Sequence, residues 1–151
     1  MRQFERLQDI DQCVGTLVAL SPWIEVNQEQ VNRFADATGD HQWIHVDPEK
    51  ARQGPFGTPI AHGFLTLSLM PRFLESSLGF GDVRMGVNYG MNRVRFTAPV
   101  PVGSRLRAHL HLQACDPIEP AGRQLTWQVH VEREGGDKPV CVAEFLARLY
   151  T

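Results

Sequence analysis

The chain has 151 residues and a formal net charge of −2, from 15 Lys plus Arg and 17 Asp plus Glu. This length suits a compact fold with a hydrophobic core, and we expect residues 1–151 to form a single domain. The nearly balanced charge argues against a partner such as nucleic acid or an acidic membrane. No apolar run approaches the roughly 20 residues that span a bilayer, and we expect no secretory signal, because the N-terminus lacks an apolar segment.

Three cysteines, Cys13, Cys115 and Cys141, lie far apart in the chain and form no CxxC pair. An odd number of dispersed cysteines favours buried thiols in a reducing compartment over a disulfide framework or a zinc site. We therefore expect a cytoplasmic protein.

The first third of the chain is predicted to contain a strand and two helices. Residues 14–20 (VGTLVAL) suit a strand, and Asn27 then suits the N-cap of a helix that ends at Gly39. Residues spaced as one face of that helix are Val31, Phe34, Ala35 and Thr38. A second, short helix is predicted to begin at the Asp-Pro-Glu of residues 47–49 and to end at Gly54.

Between these helices, the segment TGDHQWIH (38–45) places two ionisable side chains, Asp40 and His45, five positions apart. An α-helix would separate side chains at that spacing by about 140°. Because Gly39 ends the preceding helix, we expect an irregular loop that can bring both side chains to one side. A carboxylate and an imidazole that share one water molecule can act as general acid and base. The competing interpretation is that Asp40 caps a turn and His45 is packed and hydrogen-bonded.

A metal site is another interpretation, because His41 and His45 are four residues apart. Further histidines fall on predicted polar strand faces, at His109, His111 and His130. Gly39 and Asp47-Pro48 argue against a helix carrying His41 and His45 together, and no Cys or acid completes a ligand set. We therefore predict no metal.

Residues 62–78 (HGFLTLSLMPRFLESSL) are predicted to form a long central helix. Apolar side chains cover most of its circumference: Phe64, Leu65, Leu67, Leu69, Met70, Phe73 and Leu74. A helix that is apolar nearly all round is normally enclosed by the rest of the protein. Pro71 lies inside this helix and is expected to bend it.

After Gly79 the hydrophobic period changes from helical to two. Apolar and polar residues alternate in 83–92, 105–113 and 125–132, and less strictly in 139–150. Such strands place one face on a core and one face in water, as in antiparallel sheets. One apolar helix with four or five such strands predicts an α+β fold in which the sheet curls around the helix.

Three segments together resemble the MaoC-type dehydratases, the single-hot-dog family that includes the (R)-specific enoyl-CoA hydratases. TGDHQWIH (38–45) resembles the hydratase motif, in which a Gly-Asp is followed five residues later by His. TPIAHGFLTLSLMPRFL (58–74) resembles the start of the family's central helix, and NYGMNRVRFTAPVPVGSRLR (88–107) resembles the strand and turn that follow. Within the family, the chain is most similar to the branch that resembles nodulation protein N. One departure is Gln42-Trp43, where many hydratases carry Asn-Pro.

The resemblance implies a hydro-lyase of fatty acid metabolism that adds water reversibly to a trans-2-enoyl-CoA and gives the (R)-3-hydroxyacyl-CoA. Asp40 and His45 would be the acid–base pair, the amide of Gly63 would stabilise the thioester oxyanion, and Ser68 would assist. The alternatives are that Gly63 only permits tight helix–sheet packing and that Ser68 only bonds its own helix backbone. No cofactor is expected, since the coenzyme A or acyl carrier protein thioester is the substrate.

Four polar residues after the central helix are candidate substrate contacts. Asn88 and Asn92 flank Gly90, and we expect them on one strand face, where they would orient the thioester. Arg93 and Arg95 would meet the phosphates of coenzyme A. The simpler interpretation is that these side chains are polar because they face water.

Two other functions suit the same fold. Acyl-CoA thioesterases are also hot-dog proteins, and a fold alone does not determine the chemistry. A non-catalytic module that binds acyl chains or another protein is the third possibility. The spacing of Asp40 and His45 favours the hydratase.

A homodimer is expected from the predicted architecture. A sheet curled around one helix leaves edge strands, and hot-dog relatives pair such edges into a continuous sheet. The resemblance places the active site near that interface.

Overall fold

The computed structural model describes residues 1–151 of the chain. The strands are β1 (Arg2–Phe4), β2 (Leu17–Leu20), β3 (Ile24–Val26), β4 (Leu78–Phe80), β5 (Met85–Phe96), β6 (Ser104–Ile118), β7 (Gly122–Arg133) and β8 (Cys141–Tyr150). A 3-10 helix spans Leu7–Cys13, and the α-helices are α1 (Gln28–Thr38), α2 (Trp43–Val46), α3 (Pro48–Arg52), α4 (Gly63–Ser68) and α5 (Met70–Ser77). None of these helices has the length and hydropathy needed to cross a membrane.

Six strands form one antiparallel sheet in the order β2-β6-β7-β8-β5, with β3 also paired to β6. The alternation predicted for β6 and β7 is confirmed. The apolar side chains buried on their inner face are Leu106, Ala108, Leu110, Leu112, Leu125, Trp127, Val129 and Val131. These residues form part of one core cluster of 27 residues, which also includes Leu65, Met70 and Phe73 of the central helical region.

The central helical region runs from α4 into α5 and is interrupted at Leu69. Pro71 lies in the first turn of α5, where its missing N–H costs no helical hydrogen bond. The predicted α+β fold with a sheet around a central helix is therefore confirmed, although the helix is two segments rather than one. Its enclosure is also incomplete, since Phe64 is 68 % exposed.

The predicted caps at Asn27, Gly39 and Asp47 are present, whereas the second helix ends at Arg52, two residues before the predicted Gly54. The Asn27 side chain accepts a hydrogen bond from the Gln30 N–H at 2.9 Å, and Gly39 ends α1 with a left-handed φ of 80°. The Asp47 side chain accepts from the Lys50 N–H at 3.0 Å at the start of α3. These local signals define the end of α1 and the start of α3, which enclose the segment that carries Asp40 and His45.

The segment between α1 and α3 is more ordered than the irregular loop we expected, because part of it is helical. Residues 43–46 form α2, and the Asp47 N–H donates to the Trp43 carbonyl at 3.1 Å to close this turn. The Trp43 ring lies against Gly54, where an added Cβ would come within 2.8 Å of it. His45 is thus carried on a helical turn that is anchored by a packed indole, and only residues 39–42 and Asp47 of this segment lie outside helices.

β5 is an edge strand, paired with β8 on one side and with no strand of this chain on the other. Its alternating pattern does not produce the buried face that we expected: Met85, Val87 and Tyr89 are 52, 41 and 54 % exposed. Two register shifts also interrupt the strand, between Asn88 and Gly90 and again beyond Met91. A β-bulge reverses the faces of the residues that follow it, so period-two reasoning fails across it.

The three cysteines are free, as predicted, with Cys13 and Cys141 buried and Cys115 half-buried. The Cys115 Sγ donates to the Asp11 carboxylate at 3.0 Å. Burial raises the pKa of the Cys115 thiol to about 12, so it stays protonated and unreactive at neutral pH.

Candidate active site

Asp40, His45 and His62 converge at the start of α4. A carboxylate oxygen of Asp40 and one ring nitrogen each of His45 and His62 lie within 4.8 Å of one another. Asp40 follows the end of α1, His45 is carried by α2, and His62 is the N-cap of α4. The structure therefore brings together the two residues that the sequence singled out and adds a third.

His45 is 6 % exposed, and its Nδ1 lies 2.6 Å from the Ile60 carbonyl oxygen. A carbonyl oxygen can only accept, so Nδ1 carries the proton and Nε2 of the neutral ring keeps its lone pair. Burial has the largest effect on the pKa of His45 and lowers it; the hydrogen bond with the Ile60 carbonyl raises it, the nearby His62 ring lowers it, and Asp40 raises it least. The net pKa lies below its ordinary value, which keeps His45 a neutral base at neutral pH.

Asp40 is exposed and only loosely held by its neighbours in the chain. Its N–H donates to the Thr38 hydroxyl, and its carboxylate accepts from the Gln42 N–H, both at 3.4 Å. The second contact is the turn-capping role of the competing interpretation. Because it is long and uses one oxygen, it leaves the carboxylate free to contact a ligand.

His62 is the residue that sequence reasoning missed, having treated it only as the start of a helix. It is 2 % exposed, its Nε2 lies 2.9 Å from the Asp40 carbonyl oxygen, and its ring stacks on His45 with centroids 3.9 Å apart. Its Nδ1 is buried without a hydrogen-bond partner in the protein. The available signal was an ionisable residue in an otherwise apolar segment, directly before Gly63.

Two cavities adjoin the cluster. The larger, of about 560 Å³, contains Asp40 in its wall and is bordered by the apolar side chains of Phe34, Phe64, Leu67, Pro71, Met91 and Phe145. The smaller, of about 360 Å³, is lined by His45 and Gly63. Asp40 lines one cavity and His45 lines the other, and a carboxylate oxygen of Asp40 lies within 4.8 Å of a ring nitrogen of His45. The arrangement suits a ligand with an apolar tail and a reactive polar group.

Gly63 occupies the first position of α4, where backbone N–H groups have no partner inside the helix. A Cβ at this position would lie 2.8 Å from the Phe96 ring, so helix and β5 pack closely only because residue 63 is glycine. The close packing that this alternative requires is present, and it does not test whether packing is the sole role of Gly63. The oxyanion role of the Gly63 amide is compatible with it and stays a prediction.

Only some of the polar residues predicted to assist catalysis or position the substrate lie at the site. Ser68 lines the larger cavity, but its hydroxyl donates to the Leu65 carbonyl at 2.7 Å, as the backbone-bonding alternative predicts. Asn88 lines the same cavity, whereas the Asn92 amide donates to the Glu144 carboxylate on β8. The expectation that both asparagines share one strand face is wrong, because the bulge in β5 separates them.

Arg93 and Arg95 are exposed on β5 and line neither cavity. Arg95 donates to the Val94 carbonyl at 2.7 Å. Their contact with the phosphates of coenzyme A stays a prediction.

The residues able to hold a metal ion differ from those considered from the sequence. His41 bonds Asp36 at 2.9 Å and lies outside the cluster. The ring nitrogens not engaged by a backbone carbonyl are Nε2 of His45 and Nδ1 of His62, and with the Asp40 carboxylate they are donors of the kind that zinc accepts. An ion bound there would occupy the His45 lone pair that acid–base chemistry requires.

Comparison with known proteins identifies the family. Residues 9–134 match the MaoC like domain. The chain is 52% identical over 148 residues to 3-hydroxyacyl-thioester dehydratase Z of Mycobacterium tuberculosis, covering 98% of each chain. It is 43% identical over 143 residues to nodulation protein N of Rhizobium meliloti, covering 93% of this chain and 89% of that one.

Solved structures share the fold. A MaoC-like dehydratase from Rhodospirillum rubrum has a TM-score of 0.76 at 22% identity, with 97% of each chain covered. The (R)-hydratase from A. caviae has a TM-score of 0.68 at 23% identity, with 87% of this chain and 94% of that one covered. These likenesses support the hot-dog fold. With the near full-length relatives and the match over residues 9–134, they show that the chain belongs to the MaoC-like dehydratase family.

Proposed function

We propose that the protein interconverts a trans-2-enoyl thioester and an (R)-3-hydroxyacyl thioester, with Asp40 and His45 as the acid–base pair. The observation that carries this proposal is the approach of the Asp40 carboxylate and the His45 ring to within 4.8 Å beside an apolar cavity. The relative that is 52% identical is named a 3-hydroxyacyl-thioester dehydratase, which supports the same reaction in the dehydration direction.

In the hydration direction, the water oxygen bonds to C3 while a base takes one of the water protons. Neutral His45 presents Nε2 for that proton, since Nδ1 is held by Ile60. The electrons of the C2=C3 bond shift toward the thioester carbonyl, whose oxygen gains negative charge. Asp40 hydrogen-bonds the same water, and one member of the pair returns a proton to C2. Dehydration is the same sequence in reverse.

The negative charge on the thioester oxygen requires a donor, and the Gly63 N–H is the proposed one. Gly63 lines the cavity of His45 and starts α4. α4 has only six residues, so the stabilisation comes from the hydrogen bond itself more than from a helix dipole. A preorganised donor of this kind contributes about 10²- to 10³-fold to the rate of acyl chemistry.

The larger cavity is the proposed site of the acyl chain. Its wall is mostly apolar, and Ser68 and Asn88 add polar atoms to it. A thioester at Asp40 would thus extend its chain along Phe64 and Met91. The carrier, coenzyme A or acyl carrier protein, would lie outside the cavity, and we propose that the exposed Arg93 and Arg95 contact its phosphate groups.

We also infer a homodimer formed through β5. The strand exposes unpaired backbone groups and large apolar side chains, at Met85, Val87 and Tyr89. Such an edge favours pairing with another strand. Asn88 and Met91 of the same strand line the cavity of Asp40, so a second copy paired along β5 would help to enclose the substrate.

The proposed location is the cytoplasm. The three cysteines are free, which suits a reducing compartment.

One spectrophotometric experiment separates the candidate functions. Purified protein is mixed with crotonyl-CoA, and the absorbance of the conjugated double bond is followed with and without a thiol reagent. A hydratase removes the conjugation and releases no thiol, which is the expected result. Thiol release would indicate a thioesterase, and measurable binding without turnover would indicate an acyl-binding module. Determining the hand of the 3-hydroxy product then tests the R assignment.

A further inference from the structure

His62 links three parts of the site that come from different regions of the chain. Its Nε2 lies 2.9 Å from the Asp40 carbonyl oxygen, across 22 positions of sequence. Its ring stacks on His45 with an interplanar angle of 26°. Its own backbone leads directly into Gly63. Because a carbonyl oxygen only accepts, the His62 ring carries its proton on Nε2.

Asp40 depends on this contact more than on any other. Its two remaining hydrogen bonds, with Thr38 and Gln42, are both 3.4 Å long and reach only two residues along the chain. Residues 39–42 lie outside the helices. The bond from His62 is therefore the one that ties the Asp40 backbone to a distant and buried part of the fold.

We propose that His62 is a positioning residue, which fixes the Asp40 carboxylate relative to His45 by holding the Asp40 carbonyl through Nε2–H. The inference rests on the proposed function, in which Asp40 and His45 share one water. His62 is assigned to positioning because its Nε2 is committed to the Asp40 carbonyl and its Nδ1 is buried. A displacement of about 1 Å at a catalytic group can cost about 10²-fold in rate, so the contact matters for turnover.

Two substitutions separate the hydrogen bond from the packing of the ring. In His62→Gln, the amide nitrogen can reach the position of Nε2 and still donate, but the ring is lost. In His62→Phe, the ring and its stacking remain, but the donor is lost. Positioning predicts that His62→Phe lowers kcat by about 10²-fold with KM nearly unchanged, whereas His62→Gln stays within about tenfold of wild type. A role in packing alone predicts the reverse order.

A readout without substrate completes the test. Backbone ¹⁵N relaxation of residues 39–42 is measured in both variants, and thermal midpoints confirm that each is folded. We expect raised mobility in His62→Phe and wild-type order in His62→Gln. If His62→Phe does not fold, His62→Asn replaces it, because its amide stops short of the Asp40 carbonyl.

The outcomes distinguish this inference from the proposed function. Wild-type protein that lacks turnover, with the mobility difference present, would overturn the proposed function and support the positioning role. Equal order of residues 39–42 in the two variants, or a kcat of His62→Phe at or above that of His62→Gln, would overturn the positioning role.

Discussion

The imidazole of His45 is held at Nδ1 by the carbonyl oxygen of Ile60, at 2.6 Å. Ile60 lies two residues before His62, so the same short segment orients His45 and anchors Asp40. The bond selects one tautomer and leaves Nε2 as the proton acceptor. In a buried histidine held in this way, the orientation of the Nε2 lone pair is fixed before substrate binds.

This geometry predicts the acidic limb of the pH–rate profile. Burial lowers the pKa of His45, so the neutral ring persists below the ordinary histidine value of about 6.5. Hydration activity should be full above the lowered pKa and should fall as the pH drops through it. The measurement is kcat/KM for crotonyl-CoA against pH. An acidic limb centred above about 6.5 would contradict the assignment of His45 as base.

The role of the Gly63 amide can be tested with proline, because the backbone at this position is compatible with it. His62 has φ −59° and ψ 139°, a conformation compatible with a following proline, and proline is tolerated at the first helical position. Because any Cβ at residue 63 would meet the Phe96 ring, both variants are made with Phe96→Ala. We expect Gly63→Pro, which lacks the N–H, to have a kcat about 10²-fold below that of Gly63→Ala, which keeps it.

Comparable rates for the Gly63→Pro and Gly63→Ala proteins would show that Gly63 serves packing alone. Circular dichroism spectra of the two double variants control for a displaced α4.

Features governed by local chemistry were predictable from the sequence. Asn27 and Asp47 cap their helices through contacts three residues away, and the alternation of β6 and β7 reports a one-sided sheet. The proximity of Asp40 and His45 was expected from the resemblance together with the break at Gly39. The helical turn of α2 was not expected, because it depends on the packing of the Trp43 ring against Gly54.

Features governed by tertiary contacts were not predictable. The bond between His62 and the Asp40 carbonyl joins positions 22 residues apart and has no sequence pattern of its own. The β5 bulge separates Asn88 from Asn92, and bulges depend on pairing with the neighbouring strand. The alternation of β5 predicted a buried face, but its apolar residues are exposed in the single chain. Nothing else in this chain covers them.

The proposed dimer interface gives a prediction about the edge of the sheet. Val87→Lys places a charge on β5, where pairing with a second copy would bring two such charges near each other and bury them. We expect the dimer dissociation constant to rise by about tenfold or more, which corresponds to about 1.4 kcal/mol. Sedimentation equilibrium measures this constant, and kcat should fall at concentrations where the variant is monomeric.

Leu20→Lys is the matched control, because Leu20 is 45 % exposed on β2 at the opposite edge of the sheet. A dimer weakened by Leu20→Lys but not by Val87→Lys would place the interface at β2 instead.

The catalytic pair is tested most directly by measuring the hydration of crotonyl-CoA by the Asp40→Asn and His45→Gln variants. His41→Gln is the control, because the His41 side chain contacts Asp36 and lies outside the cluster. Each of the two variants should lose about 10²-fold or more in kcat while remaining folded, and His41→Gln should keep the wild-type rate. Since the two groups act on one water, the double variant should be about as slow as the slower single variant. Wild-type kcat in both single variants would contradict an acid–base pair at Asp40 and His45.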